Sequence, residues 1–272
     1  MSASLSVVIP AYNEGARLRE SLPTVIDYLT SLNSAPELIV VDDGSTDDTA
    51  KVAEKIFGDS PTLQTQVIRY ETNRGKGYAV RRGLMASKAP IALFSDADLS
   101  TPISEIPKLI GPIEHGEYDL TFGSRALDRR LIGVHQPWRR EQGGRIFNLI
   151  VRLATGLPYW DTQCGFKAFR MSACRPIIEA GRIDRFGFDV ELLYVSQLAG
   201  LRLSEVPVRW DHKAGALDAS ANYARDSLRM VNEVKKIRQQ VDSGVYTEAI
   251  SAARTMSLVE QKQLHISGAP SA

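Results

Sequence analysis

Two carboxylates, Asp96 and Asp98, stand two residues apart in the stretch Phe94-Ser95-Asp96-Ala97-Asp98-Leu99-Ser100, immediately after an apolar run. Like charges held this close need a neutralising partner. Mg²⁺ or Mn²⁺ can be one, because these ions take one or two carboxylates and fill their other positions with water and phosphate oxygens. A D-x-D at a strand end therefore suits a metal–diphosphate unit, in which the cation offsets charge developing on a diphosphate leaving group. A second acid pair, Asp42 and Asp43, ends the run at 38–41 ahead of Gly44. A good helix cap accounts for Gly44, Ser45 and Thr46 but not for two adjacent acids. At least one of the pair is expected to contact a ligand, accepting from a base N–H or a ribose hydroxyl.

Alone, D-x-D is unspecific, since haloacid-type phosphatases also carry one. There the acids follow the first strand and one of them attacks phosphate; here they follow the fourth, and the first strand ends in Pro10. A dinucleotide fold would need a glycine fingerprint after the first strand, and Asn73-Arg74-Gly75-Lys76-Gly77 comes too late to supply it.

The elements that must position these acids are legible in the hydropathy. Nearly continuous apolar runs at 5–10, 37–43, 65–70, 90–96 and 118–124 predict strands buried on both faces. Helical patterns at about 15–32, 46–58, 76–88 and 103–115 alternate with them. Caps at Ser45/Thr46 and at Thr101-Pro102 with Glu105 mark two helix starts. Strand alternating with helix predicts an α/β doubly wound fold, a mostly parallel sheet flanked by helices, with ligands at the carboxyl ends of the strands. Pro10, Asp42/Asp43 and Asp96/Asp98 then converge on one crevice.

Past residue 124 the rhythm breaks. An Arg-rich loop, 125–140, leads into a helical stretch at 141–156 and then into Trp160-Asp161-Thr162-Gln163-Cys164-Gly165-Phe166-Lys167; a second substrate is expected to be read here. A helix at about 188–199 and a strand at 201–210 follow. Residues 216–240 predict an amphipathic helix, with Tyr223, Leu228, Val231, Val234 and Ile237 among basic side chains. It either packs on the domain or rests on anionic lipid. Residues 241–272 are small and polar and predict a mobile tail.

A net charge of +1 across 272 residues gives no global reason for nucleic-acid binding. Cys164 and Cys174 predict free thiols in a reducing compartment. The first ten residues lack a signal-peptide pattern, and no window approaches the ~20 apolar residues of a spanning helix. The expectation is a cytoplasmic protein, at most peripheral at the cytoplasmic membrane face. Nothing in the sequence excludes a homo-oligomer.

The ordered set VVIPAYNE (7–14), VVDDGSTDDT (40–49), NRGKGYAVRRG (73–83), FSDADLSTP (94–102) and GSR (123–125) resembles the family 2 glycosyltransferases of the GT-A fold, over about residues 5–212. WDTQCGFKAFR (160–170) and FGFDVELLYVS (186–196) resemble the branch of dolichyl-phosphate β-glucosyltransferases and other polyprenyl-phosphate glycosyltransferases. The resemblance implies one GT-A unit over 1–215, with a nucleotide-sugar half (1–124) and an acceptor half (125–215). It further implies that Pro10, Ala11, Tyr12, Glu14, Asp42, Asp43, Gly75, Lys76 and Asp96 bind the nucleotide sugar. Asp98 would ligate Mg²⁺ or Mn²⁺, with His212 a candidate further ligand. Arg125 would grip diphosphate or an acceptor phosphate, and Asp189 is the candidate general base. Arg129, Arg139, Arg140 and Lys167 would face the acceptor.

The expected reaction is metal-dependent inverting transfer of a hexose, glucose from UDP-glucose, to a polyprenyl or dolichyl phosphate. A sugar hydroxyl acceptor needs a base, whereas a phosphate monoester is already anionic and needs cations to position it. Two alternatives are a soluble sugar or glycan acceptor with the same donor, and a nucleotide-sugar binding protein without turnover.

Overall fold

The computed structural model describes residues 4–32, 35–60, 63–213 and 223–266. A seven-stranded sheet runs through the centre in the order β3-β2-β1-β4-β7-β5-β8. The strands are β1 (Leu5–Ala11), β2 (Glu37–Asp42), β3 (Gln64–Arg69), β4 (Ile91–Ser95), β5 (Leu120–Ser124), β7 (Phe166–Arg170) and β8 (Leu203–Pro207). All neighbours pair in parallel except β7, which runs antiparallel to both β4 and β5. The chain winds outward from β1 to β3 through α1 (Gly15–Ser31) and α2 (Thr49–Gly58). It then returns through α3 (Lys76–Ala86) to β4 on the other side of β1. The connection reverses between β1 and β4, so the loops at their carboxyl ends part and leave a crevice.

The central strands are apolar on both faces because both are covered. Val8, Ile39, Val41 and Phe94 pack with α3; Val7, Ile9, Val40 and Leu93 pack with α1, α2 and α4 (Ile106–Glu114). Edge strand β3 alternates exposed and half-buried residues, as an edge should.

The chain past residue 124 departs from the simple alternation of strand and helix. Its irregular stretch contains α5 (Trp138–Thr155), strand β7 and α6 (Met171–Ala180), followed by α7 (Phe188–Leu198). A two-stranded parallel ribbon pairs β6 (Ile132–Val134) with β9 (Trp210–Asp211). Residues 160–170, expected to be a substrate-reading loop, therefore end in a central strand.

The C-terminal part corrects one expectation and refines another. Residues 223–242 form α8 (Tyr223–Asp242), whose Val234 and Ile237 are buried in the core; the positions 216–222 lie outside the described residues, as do the side chains of Tyr223 and Leu228. The tail expected to be mobile instead forms α9 (Thr247–Ile266), with 267–272 outside the described residues. Its small residues allow close packing on α6, Ala253 is buried, and Ser257 Oγ donates to Asp119 Oδ2 at 3.0 Å. Asp119 also accepts from the Arg202 backbone N–H and guanidinium at 2.8–3.2 Å, and Glu260 lies 3.5 Å from Arg170.

Candidate active site

The two loops that follow β1 and β2 are knitted together. Asn13, in a left-handed conformation (φ 54°), donates its N–H to Ser45 Oγ at 2.9 Å and accepts from Thr46 N–H at 2.9 Å. Glu14 N–H reaches Thr49 Oγ1 at 3.0 Å. Leu99 has the other positive φ among the described non-glycine residues (49°), directly after Asp98. Such conformations cost of order 1–3 kcal/mol and persist where surrounding contacts enforce them. Both flank the β1/β4 crevice.

The Asp42 and Asp43 carboxylates are the joints of this wall. Asp42 accepts from Ser45 N–H at 2.9 Å and lies 3.3 Å from Arg69. Asp43 accepts from the N–H groups of Arg74 and Gly75 and from Asn73 Nδ2, each at 2.8 Å. Asp43 thereby fixes the glycine-rich turn that launches α3. Gly75 is required in that turn: its φ is +112°, and a Cβ there would stand 2.5 Å from the Asp184 carbonyl oxygen.

The turn delivers Lys76, whose Nζ stands 2.6 Å from Asp96 Oδ1. Burial works against the Lys76 ammonium, but Asp96, Asp189 and Asp98 outweigh it and hold its pKa above the usual lysine value. Asp96 Oδ1 is buried and, apart from this ion pair, has no hydrogen-bond donor. Asp96 N–H donates to Gly165 O at 3.1 Å, and a side chain at Gly165 would collide with the Asp96 carboxylate. Glu14 joins the acids: burial raises its pKa, with Asp98 and Asp96 adding to the rise, against Arg17 at 2.6 Å. Pro10 and Ala11 end β1, and Tyr12 is exposed beside them.

Asp98 is half-buried and accepts from Ser100 N–H at 2.8 Å. Asp211 N–H donates to Ser100 O at 2.8 Å, so the segment carrying His212 lies alongside the Asp98 turn, its imidazole stacked on Trp210. Among the described residues no cluster of three His, Cys, Asp or Glu side chains could hold a metal by itself. The donors nonetheless fit Mg²⁺ or Mn²⁺, which need one or two carboxylates when phosphate oxygens and water complete the shell.

Beneath the crevice lies a buried ion pair. Lys167, the second residue of β7, is fully buried; its Nζ donates to Asp189 Oδ1 and to Cys164 O, both at 2.6 Å. This corrects the expectation that Lys167 faces an acceptor. Its ammonium is consumed by Asp189, and no surface reaches it. Burial raises the Asp189 pKa although Lys167 and Lys76 pull it down. Asp189 is thus close to Lys76 and Asp96 but is held as a counter-ion. Its neighbour Glu191 is a brace, accepting from the N–H groups of Arg182 and Ile183 and from Tyr246 Oη.

Beyond Arg125 opens a cavity of about 450 Å³ lined by side chains that range from buried to exposed, among them Asn148, Arg129, Arg145, Arg152, Trp160 and Trp210. Arg125 is clamped by Asp161 through a two-pronged contact at 2.7 Å on each prong, with its own N–H on the same carboxylate at 2.9 Å. Burial opposes the Arg125 charge, yet Asp161, Cys164 and Asp96 raise its pKa. The guanidinium thus senses both the cavity wall and the carboxylate crevice. Glu205 sets the clamp, accepting from the N–H groups of Trp160 and Asp161 at 2.9 and 2.7 Å. Glu141 holds Arg129 and Arg145 at 2.7 Å each. Arg139 and Arg140 lie on the first turn of α5, and their side chains fall outside the described set.

The glycosyl transferase family 2 model matches residues 6–178. The chain belongs to that family. It is a glycosyltransferase of GT-A architecture. Dolichyl-phosphate beta-glucosyltransferase of Dictyostelium discoideum is 32% identical over 253 residues, covering 89% of this chain and 76% of the relative. The Homo sapiens protein of the same name is 35% identical over 229 residues, covering 78% and 68%. Among solved structures, glucosyl-3-phosphoglycerate synthase from Mycobacterium tuberculosis, in complex with Mn²⁺, UDP-glucose and glycerol 3-phosphate, has a TM-score of 0.61 at 23% identity. The match covers 85% of this chain and 80% of that one, a likeness of fold.

Within this glycosyltransferase, the expected donor-side residues Glu14, Asp42, Asp43, Gly75, Lys76, Asp96 and Asp98 do gather at one crevice, and Arg125 and Arg129 do line one cavity. Reading by residue type missed Arg152, which lies in the helical stretch itself, and the counter-ions Asp161 and Glu205. Asp161 was visible in the WDTQCGF motif, but its role depends on a partner 36 residues away. No helix among the described residues is long and apolar enough to cross a membrane.

Proposed function

We propose that this glycosyltransferase moves glucose from UDP-glucose, with inversion and with Mg²⁺ or Mn²⁺, to a polyprenyl phosphate. One observation carries this reading. The carboxylate placed to act as a base, Asp189, is neutralised by Lys167, while the adjoining cavity is lined with guanidinium groups. A hydroxyl acceptor would lack a base, whereas a phosphate acceptor needs none. The names of the relatives at 32 and 35% identity support the same acceptor class and sugar.

Tyr12 and the loop after β2 would receive the nucleoside, and Lys76 and Asp96 the sugar diphosphate. Asp98 and His212 would hold the cation, whose charge offsets the diphosphate as it leaves. Arg125, Arg129 and Arg145 orient the acceptor phosphate. One of its oxygens attacks the anomeric carbon as the bond from that carbon to the diphosphate oxygen breaks, releasing UDP and inverting the configuration. The test is incubation of the full chain with UDP-glucose, Mn²⁺ and a short-chain polyprenyl phosphate, followed by mass spectrometry. The expected product is a β-linked glucosyl phosphate. Glucose transferred only to hydroxyl acceptors, or no transfer with any nucleotide sugar, would overturn the proposal.

A further inference from the structure

The helix that the sequence offers to a lipid surface is not the one the fold exposes. In α8, Val234 and Ile237 are turned into the core, against α5 and α7. In α5, by contrast, Trp138, Ile146, Leu149 and Leu153 are 71, 61, 53 and 79% exposed, while Phe147 and Val151 fill the core behind them. At about 100° per residue these four exposed side chains share one side of the helix. Trp160, 57% exposed, extends the patch, with the Arg152 guanidinium 4.1 Å over its ring. Arg145 and Arg152 run along one border, and Leu149 belongs both to the patch and to the wall of the cavity. A run of large exposed apolar side chains with a basic border is not ordinary surface. Tryptophan with arginine beside it is suited to a boundary between hydrocarbon and anionic headgroups.

We propose that the α5 face, with Trp160, docks on an anionic lipid bilayer and brings the arginine-lined cavity to the headgroup layer. A second copy of the chain is a poorer occupant, since it would bring two more arginines, Arg145 and Arg152, to the contact, a border that an anionic surface matches better. The surface deepens the proposed acceptor and rests on that reading for its purpose, but it is detected without any substrate.

The experiment is co-sedimentation of the full chain, without nucleotide sugar, with phosphatidylcholine vesicles containing or lacking phosphatidylglycerol. Binding is expected to be stronger with phosphatidylglycerol and to weaken as salt screens the arginines. The double variant Ile146→Ser/Leu153→Ser, whose residues do not line the arginine cavity, should lose about tenfold or more of the partition coefficient. It should keep wild-type transfer to a short-chain polyprenyl phosphate in solution. Equal partition of variant and wild type overturns the proposal, as does a wild type that binds neither vesicle. A wild-type dimer that the double variant abolishes also overturns it, by assigning the face to a second copy. Failure of the acceptor reading would be seen separately, as absent transfer to the soluble acceptor by a wild type that still binds vesicles.

Discussion

The carboxylate crevice and the arginine-lined cavity share a wall at Arg125 and are built with opposite electrostatics. In the crevice carboxylates gather, and backbone N–H groups and Lys76 restrain them: Asp43, buried, by Arg74 and Gly75, Asp98 by Ser100, Asp96 by Lys76. In the cavity guanidiniums line the wall, and carboxylates restrain them: Arg125 by Asp161, Arg129 and Arg145 by Glu141. An acid crevice is suited to a cation with its diphosphate, and a basic cavity to a bare anion. Under the proposed function, the two substrates are sorted by charge before any sugar hydroxyl is read.

The sharpest way to break this comparison is at the pair that belongs to neither side. Lys167→Met would leave Asp189 buried without its counter-ion, and removing one partner of such a pair costs about 3–5 kcal/mol. Urea denaturation should show that loss. The double variant Lys167→Met/Asp189→Leu should regain most of it. A Lys167→Met protein of undiminished stability but weakened acceptor binding would return Lys167 to the cavity.

Next in size is Arg125→Lys. Lysine cannot reproduce the two-pronged contact with Asp161, and losing a charge-assisted contact is worth roughly ten- to hundredfold. The expected outcome is an acceptor KM raised by about that factor with donor KM little changed. A rise confined to the donor would reassign Arg125 to the crevice.

How far the molecule was legible follows from these same residues. β1, β2 and β4 are apolar on both faces, so their runs are continuous, and the acids after them were placed correctly at one sheet edge. Strand β7 was not legible because its second residue is Lys167, and a lysine is normally a surface residue. Its counter-ion Asp189, 22 positions away, together with the Cys164 carbonyl oxygen, makes it a core residue. Helix α9 escaped because its buried positions are Ala253 and Ser257, whose value lies in close packing and in one bond to Asp119 rather than in hydrophobicity. The cavity was half legible. Its arginines stood out by type, but their order comes from Asp161, Glu141 and Glu205, which are meaningful only in space.

A smaller effect follows from pH. For Asp161, burial raises the pKa but Arg125 outweighs it; for Asp119, Arg202 does the same; both carboxyls end below the usual value. The stability they contribute is complete above the ordinary carboxylate pKa of about 4 and is lost as pH falls through their lower folded values. Thermal unfolding should therefore show a Tm that drops below about pH 4, with a shallower acid slope in Asp119→Asn. An unchanged slope would mean that Asp119 is not held ionised by its arginines.

The central claim is that the crevice and the cavity bind different substrates through opposite charges. It is tested most directly by calorimetry of UDP with Mn²⁺, and separately of a short-chain polyprenyl phosphate, on Asp98→Asn and on Arg129→Ser/Arg145→Ser. The account predicts that Asp98→Asn weakens UDP–Mn²⁺ binding and leaves the polyprenyl phosphate affinity intact, and that the arginine variant does the reverse. Both ligands weakened by the same variant, or neither weakened by either, would contradict it.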